Sequence, residues 1–111
     1  MARVQFFFES SPLRIMGYTV GQKPTSTERR REILRIAIEH PWRAEVREKF
    51  SDVQLSEWGE PGADRYRKIV TKLKAQIDNA RGTKDRNLRD AIHDWETDLR
   101  WLQETFEKIY R

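Results

Sequence analysis

The 111-residue chain holds few groups at the spacings that catalysis needs. With no Cys, it has no thiol nucleophile, no zinc ribbon and no disulfide framework. Its two imidazoles are His40 and His93. His40 stands before Pro41, at an expected helix end where a cationic ring meets the terminal carbonyls. His93 adjoins Asp94, but neighbouring side chains diverge on a helix, and pairing with Asp90 or Glu96 one turn away is ordinary surface chemistry. Glu57 and Glu60 flank Trp58-Gly59, two carboxylates without a third ligand. Asp90, Asp94 and Asp98 form an acidic line at i, i+4 and i+8, expected on a solvated face opposite Trp95 rather than around a divalent metal. There is no Ser/His/Asp triad, phosphate-cradling Gly loop or zinc spacing. The expectation is a protein that is not an enzyme, with no catalytic, metal or cofactor residues.

The chemistry that remains is charge. Residues 1–61 carry a net +1, residues 62–89 a net +6 and residues 90–111 a net −3, within an overall +4. Arg65, Lys68, Lys72, Arg81, Lys84, Arg86 and Arg89 therefore become candidate contacts to a DNA or RNA phosphate backbone, where Lys/Arg clusters gain from counterion release. Thr83 and the first amides of the last helix would add to such a site, as would Arg29, Arg30, Arg31 and Arg35 if their helix packs alongside. The competing expectation is a solvated, salt-bridged surface in which the +6 segment packs near the −3 segment. On charge alone the solvated surface has a slight lead; between the two functional readings, a small nucleic-acid-associated module leads a protein-interaction one by a narrow margin.

Aromatic residues make up 11 % of the chain, and they carry the alternative. Trp95 lies on the main apolar stripe of the last helix. Trp101 falls beside that stripe, so it either widens the core or, with Phe106 and Tyr110, offers a docking patch to a protein partner or to a second copy in a homo-oligomer.

These side chains need elements to hold them. Leu88, Ile92, Trp95, Leu99, Leu102, Phe106 and Ile109 are spaced 4, 3, 4, 3, 4 and 3 residues apart, which predicts one stripe of a helix from about Lys84 to near Arg111. Tyr66, Val70, Leu73, Ile77 and Ala80 repeat the pattern, with Ile69 widening it. Arg81-Gly82-Thr83-Lys84 is too short a link for anything but an antiparallel αα-hairpin, with Gly82 suited to a left-handed helix end and Thr83 to an N-cap. Upstream, Ser26 or Thr27 caps a helix whose apolar face is Ile33, Leu34, Ala37 and Ile38, ended by Pro41. A short helix is expected from Trp42 to Phe50, then a turn at Ser51-Asp52, and a third long helix starting at Pro61 or Ala63. Glu57 to Gly62 reads as a rigid loop, with Trp58 as its anchor. Residues 3–9 and 13–20 form an irregular N-terminus or a short β-hairpin. The fold class is mainly α: about four helices ending in a long hairpin, in one domain divided as 1–25, 26–61 and 62–111.

Ser11-Pro12-Leu13, Gly17-Tyr18-Thr19-Val20-Gly21, Glu28-Arg29-Arg30-Arg31, Glu57-Trp58-Gly59-Glu60-Pro61 and Trp95-Glu96-Thr97-Asp98-Leu99 occur in that order. The pattern resembles a small helical module of unassigned function found in bacterial proteins, over roughly residues 11–104. The resemblance implies a bacterial, helical, single-domain protein and brings no activity with it. The longest uncharged apolar run, Phe6 to Phe8, is far below a membrane span, and Arg3 lies too near Phe8 for a signal peptide. A cytoplasmic protein that makes no membrane contact is expected.

Overall fold

The computed structural model describes residues 11–21, 24–82 and 88–110. Six helices follow in chain order: α1 (Pro12–Ile15), α2 (Thr27–Glu39), α3 (Ala44–Lys49), α4 (Asp52–Ser56), α5 (Ala63–Arg81) and α6 (Arg89–Phe106). No strand occurs among the described residues, and the mainly α expectation holds. The β-hairpin is corrected in its second half, while its first half lies outside the described residues. Leu13 belongs to α1, where the Ser11 hydroxyl accepts from the Arg14 N–H and Pro12 occupies the first turn. Proline suits that position because its missing N–H would have had no helical partner.

The long elements start and stop for local reasons. The Ser26 hydroxyl accepts from the Arg29 N–H at the head of α2, and His40 leaves the helix in extended conformation before Pro41. The Trp42–Phe50 segment yields only α3, and Trp42 is buried ahead of it. Ser51 does more than open a turn. Its hydroxyl accepts from the Gln54 N–H while the Gln54 side chain accepts from the Ser51 N–H, and this reciprocal cap starts α4. Gly82 corrects the expected left-handed helix end, having φ −72° in ordinary helical conformation.

The core lies between α2, α5 and α6. Ile33, Leu34, Ala37 and Ile38 of α2 meet Tyr66, Ile69, Leu73, Ile77 and Ala80 of α5 and Trp95, Leu102 and Phe106 of α6, with Leu13, Tyr18, Trp42 and Trp58 closing the edges. Tyr66 bonds Glu107 and Arg81 pairs with Glu96, so α5 and α6 run antiparallel. The residues joining them, 83–87, lie outside the described residues. The apolar stripe of α6 is turned relative to its expected position. Ala91 and Asp98 are buried, Leu88, Ile92 and Leu99 are half-buried, and Ile109 lies beyond the helix at 65 % exposure. Two neighbours cause this: α6 packs against α2 as well as α5, so its buried arc swings toward α2.

Candidate nucleic-acid interface

The five basic candidates among the described residues do not form one surface. Arg65 is corrected outright: at 2 % exposure it is a core residue. Its Nε donates to the Gly59 carbonyl at 3.0 Å, and its Nη1 donates to Ala37 at 2.5 Å and His40 at 3.4 Å. Its guanidinium also lies 4.1 Å from the centre of the Trp42 ring. The last carbonyls of α2 have no partners within their own helix and carry its negative dipole end, which is where a cation is most useful. The Gly62 N–H takes the Ile38 carbonyl at 2.7 Å, so the start of α5 caps the end of α2. Burial lowers the Arg65 pKa to about 10, with Glu60 and Asp64 opposing; the side chain remains a cation at neutral pH.

Lys68 and Lys72 sit on the α5 edge near Trp58. The Lys72 ammonium rests 4.7 Å from the Trp58 ring, and burial lowers its pKa while Glu57 opposes. Trp58 is buried and meets Trp42 edge-on, anchoring the loop as expected. Arg81 is on the other edge of α5, 3.0 Å from Glu96. Arg89 is exposed at the start of α6, and Lys84 and Arg86 lie outside the described residues.

The acidic line of α6 is corrected as well. Asp98 is fully buried, with Arg30 Nε at 2.8 Å and the Tyr18 hydroxyl donating to the same oxygen at 2.5 Å. Arg30 Nη1 donates to the Thr25 carbonyl, its Nη2 lies 3.6 Å from Asp94, and Asp94 accepts from the Gly21 N–H at 3.0 Å. This network ties Tyr18, Gly21 and Thr25 to α2 and α6. Burial raises the Asp98 pKa, and hydrogen bonds from Arg30 and Tyr18 oppose the rise. Burial works against charge on Arg30, and the Asp98 hydrogen bond and charge outweigh it, leaving its pKa raised. For Arg30, then, the bundle interior supplies the partner, and no phosphate contact is open to it.

The partner patch is largely consumed within the chain. Phe106 is buried at 1 % exposure, so its side chain is not available to a partner. Tyr110 stacks on Phe106 at 5.8 Å, and half-buried Trp101 meets Phe106 edge-on.

What the seven-residue candidate set missed is a line along α5. Arg67, Lys74 and Arg81 are seven residues apart, nearly two full turns each, so they share one face. Arg67 and Lys74 are exposed, and Arg67 Nη2 reaches the Tyr110 carbonyl at 3.5 Å. Lys74, Arg81 and Arg100 line a groove of about 370 Å³ between α5 and α6, together with the apolar Ile77 and Leu99. Asp78 and Glu96 temper its charge. The spacing of 67, 74 and 81 is legible in the sequence, but the place of Arg100 beside them is not, because it depends on how α6 is set against α5.

Among the described residues no group of His, Cys, Asp or Glu gathers as metal ligands, and no helix is long and apolar enough to cross a membrane. The chain matches no protein-family model, and no curated protein or solved structure is significantly similar to it. The resemblance to the bacterial helical module therefore rests on the residue pattern alone.

Proposed function

We propose that the chain is a small non-enzymatic module that binds nucleic-acid phosphates along the α5–α6 groove. The observation that carries this reading is that Lys74 and Arg81 line a concave surface together with Arg100, with Arg67 continuing their line along α5. The Arg81–Glu96 pair does not remove Arg81 from it. Both side chains are about half exposed, and such pairs are worth roughly 0–1 kcal/mol, so a phosphate can exchange for the carboxylate. The readout is of backbone rather than base, since the cations lie along the groove rather than on a projecting recognition element. Of the sequence candidates among the described residues, the interface keeps Arg81, leaves out Arg65, Lys68, Lys72 and Arg89, and adds Arg67, Lys74 and Arg100. A protein-interaction reading has less support, because Phe106 and Trp101 already pack within the chain.

The test is fluorescence anisotropy with labelled single-stranded DNA, duplex DNA and RNA. Binding is expected at low salt, and the Arg67→Glu/Lys74→Glu/Arg100→Glu variant is expected to lose at least tenfold in affinity with unchanged circular dichroism. Lys68→Glu, on the opposite edge of α5, is expected to change affinity much less. Absence of binding at low salt, or a triple variant that binds like the parent, would overturn the proposal.

A further inference from the structure

We infer that Arg31 and Arg35 of α2, set against the indole of Trp101, form a binding site for a phosphate group on the α2–α6 flank, separate from the α5–α6 groove. The Arg31 guanidinium lies 5.6 Å from the Trp101 ring centre and that of Arg35 5.8 Å. Arg35 is also 5.6 Å from the Phe106 ring. Both distances to Trp101 lie within cation–π range, so the indole attracts the two guanidinium groups to one place and offers neither of them an anionic partner.

Three of the acids near that corner have other partners. Glu32 pairs with Arg29 at 2.9 Å, while Asp98 and Asp94 hold Arg30. Glu28 and Glu39 stand about one turn from Arg31 and Arg35 on the same helix, yet among the described residues neither arginine is in an ion pair. In addition, the Arg31 Nε is buried and has no hydrogen-bond acceptor. A buried donor without an acceptor is rare enough in folded proteins to need an explanation. Two like charges one helical turn apart also repel each other. A phosphate supplies what is lacking in both respects: up to two negative charges against two positive ones, and several oxygens for two planar forks. A monoanionic carboxylate matches only half of that.

The test is an NMR titration of the full chain labelled at arginine Nε and tryptophan Nε1, using inorganic phosphate, a nucleoside monophosphate and acetate at constant ionic strength. Saturable shifts of the Arg31 and Arg35 Nε–H signals and of the Trp101 indole are expected with both phosphates, with acetate at least tenfold weaker. Equal affinities for the two phosphates would identify the free ion as sufficient; tighter nucleotide binding would identify a phosphate carried on a larger body. Arg31→Gln/Arg35→Gln is expected to abolish the Trp101 shift, and Arg35→Lys, which keeps the charge and loses the fork, to weaken binding severalfold. The Arg67→Glu/Lys74→Glu/Arg100→Glu variant is expected to bind phosphate here unchanged, so failure of the groove and failure of this site are distinguishable. The inference is overturned if phosphate produces no saturable shift, if acetate binds as well, or if the shifts persist in the double variant.

Discussion

Asp98 receives Arg30 and Tyr18 on one carboxylate oxygen inside the bundle, far from either in sequence. Removing its charge leaves the buried guanidinium only the longer Asp94 contact at 3.6 Å, and breaking a buried pair of this kind costs up to about 3–5 kcal/mol. Asp98→Asn is accordingly expected to lower the unfolding free energy by about that amount in urea titrations. Arg30→Met in the same chain should recover part of the loss, because the poorly paired charge is then gone. A second residue-scale effect belongs to Tyr66. Burial and the hydrogen bond to Glu107 raise its pKa to about 12, above the ordinary value near 10 of the unfolded chain. The folded protein therefore keeps this proton where the unfolded chain releases it. That contribution is complete below about pH 10 and disappears as the pH rises to 12. Two pH units at ~1.4 kcal/mol each set its ceiling near 3 kcal/mol, and solvent around exposed Glu107 reduces it to roughly 1 kcal/mol. Stability measured from pH 9 to 12 is expected to decline, and Tyr66→Phe to make that limb shallower.

At the scale of elements, the junction from α4 into α5 governs how the bundle is assembled. Gly59 has φ +73°, and a Cβ there would fall on the Asp64 carboxylate, which accepts from the Glu60 N–H. Its carbonyl meanwhile takes the Arg65 Nε, so the loop, the start of α5 and the end of α2 share one set of contacts. Left-handed backbone at a non-glycine residue costs about 1–3 kcal/mol. Gly59→Ala is expected to lose at least about 2 kcal/mol by chemical denaturation, since the Asp64 side chain must also move. Gly62→Ala provides the comparison: φ is +102° there too, but nothing stands within reach of the added carbon.

Over the whole molecule the net charge is +4, and its placement matters more than its size. Arg65 and Arg30 are interior, Lys72 lies along Trp58, and the α5–α6 groove is left with Lys74, Arg81 and Arg100, with Arg67 further along the same face of α5. Four phosphate contacts correspond to a slope of about −3 in log affinity against log salt. Raising salt from about 50 to 200 mM is then expected to weaken binding roughly sixtyfold. Anisotropy titrations at intermediate concentrations measure the slope directly, and a value near zero would point to an apolar contact.

The sequence by itself determined what neighbouring residues decide among themselves. The 4-3 spacing announced the long helices, Ser26 and Pro41 bounded α2, and two of the four positive-φ glycines, Gly59 and Gly62, lay in the loop around Trp58. Two local signals went further than the reading taken from them: Ser11-Pro12 opens a helical turn, and Ser51 with Gln54 makes a reciprocal cap. The roles of the charges were decided only by tertiary structure. Arg65 and Lys68 are equally basic in the sequence, and Asp94 and Asp98 equally acidic. One of the first pair meets open carbonyls at the end of α2, and one of the second meets Arg30 and Tyr18. A charge is buried only where another element brings it a partner, and that partner comes from helix packing, which local spacing does not encode.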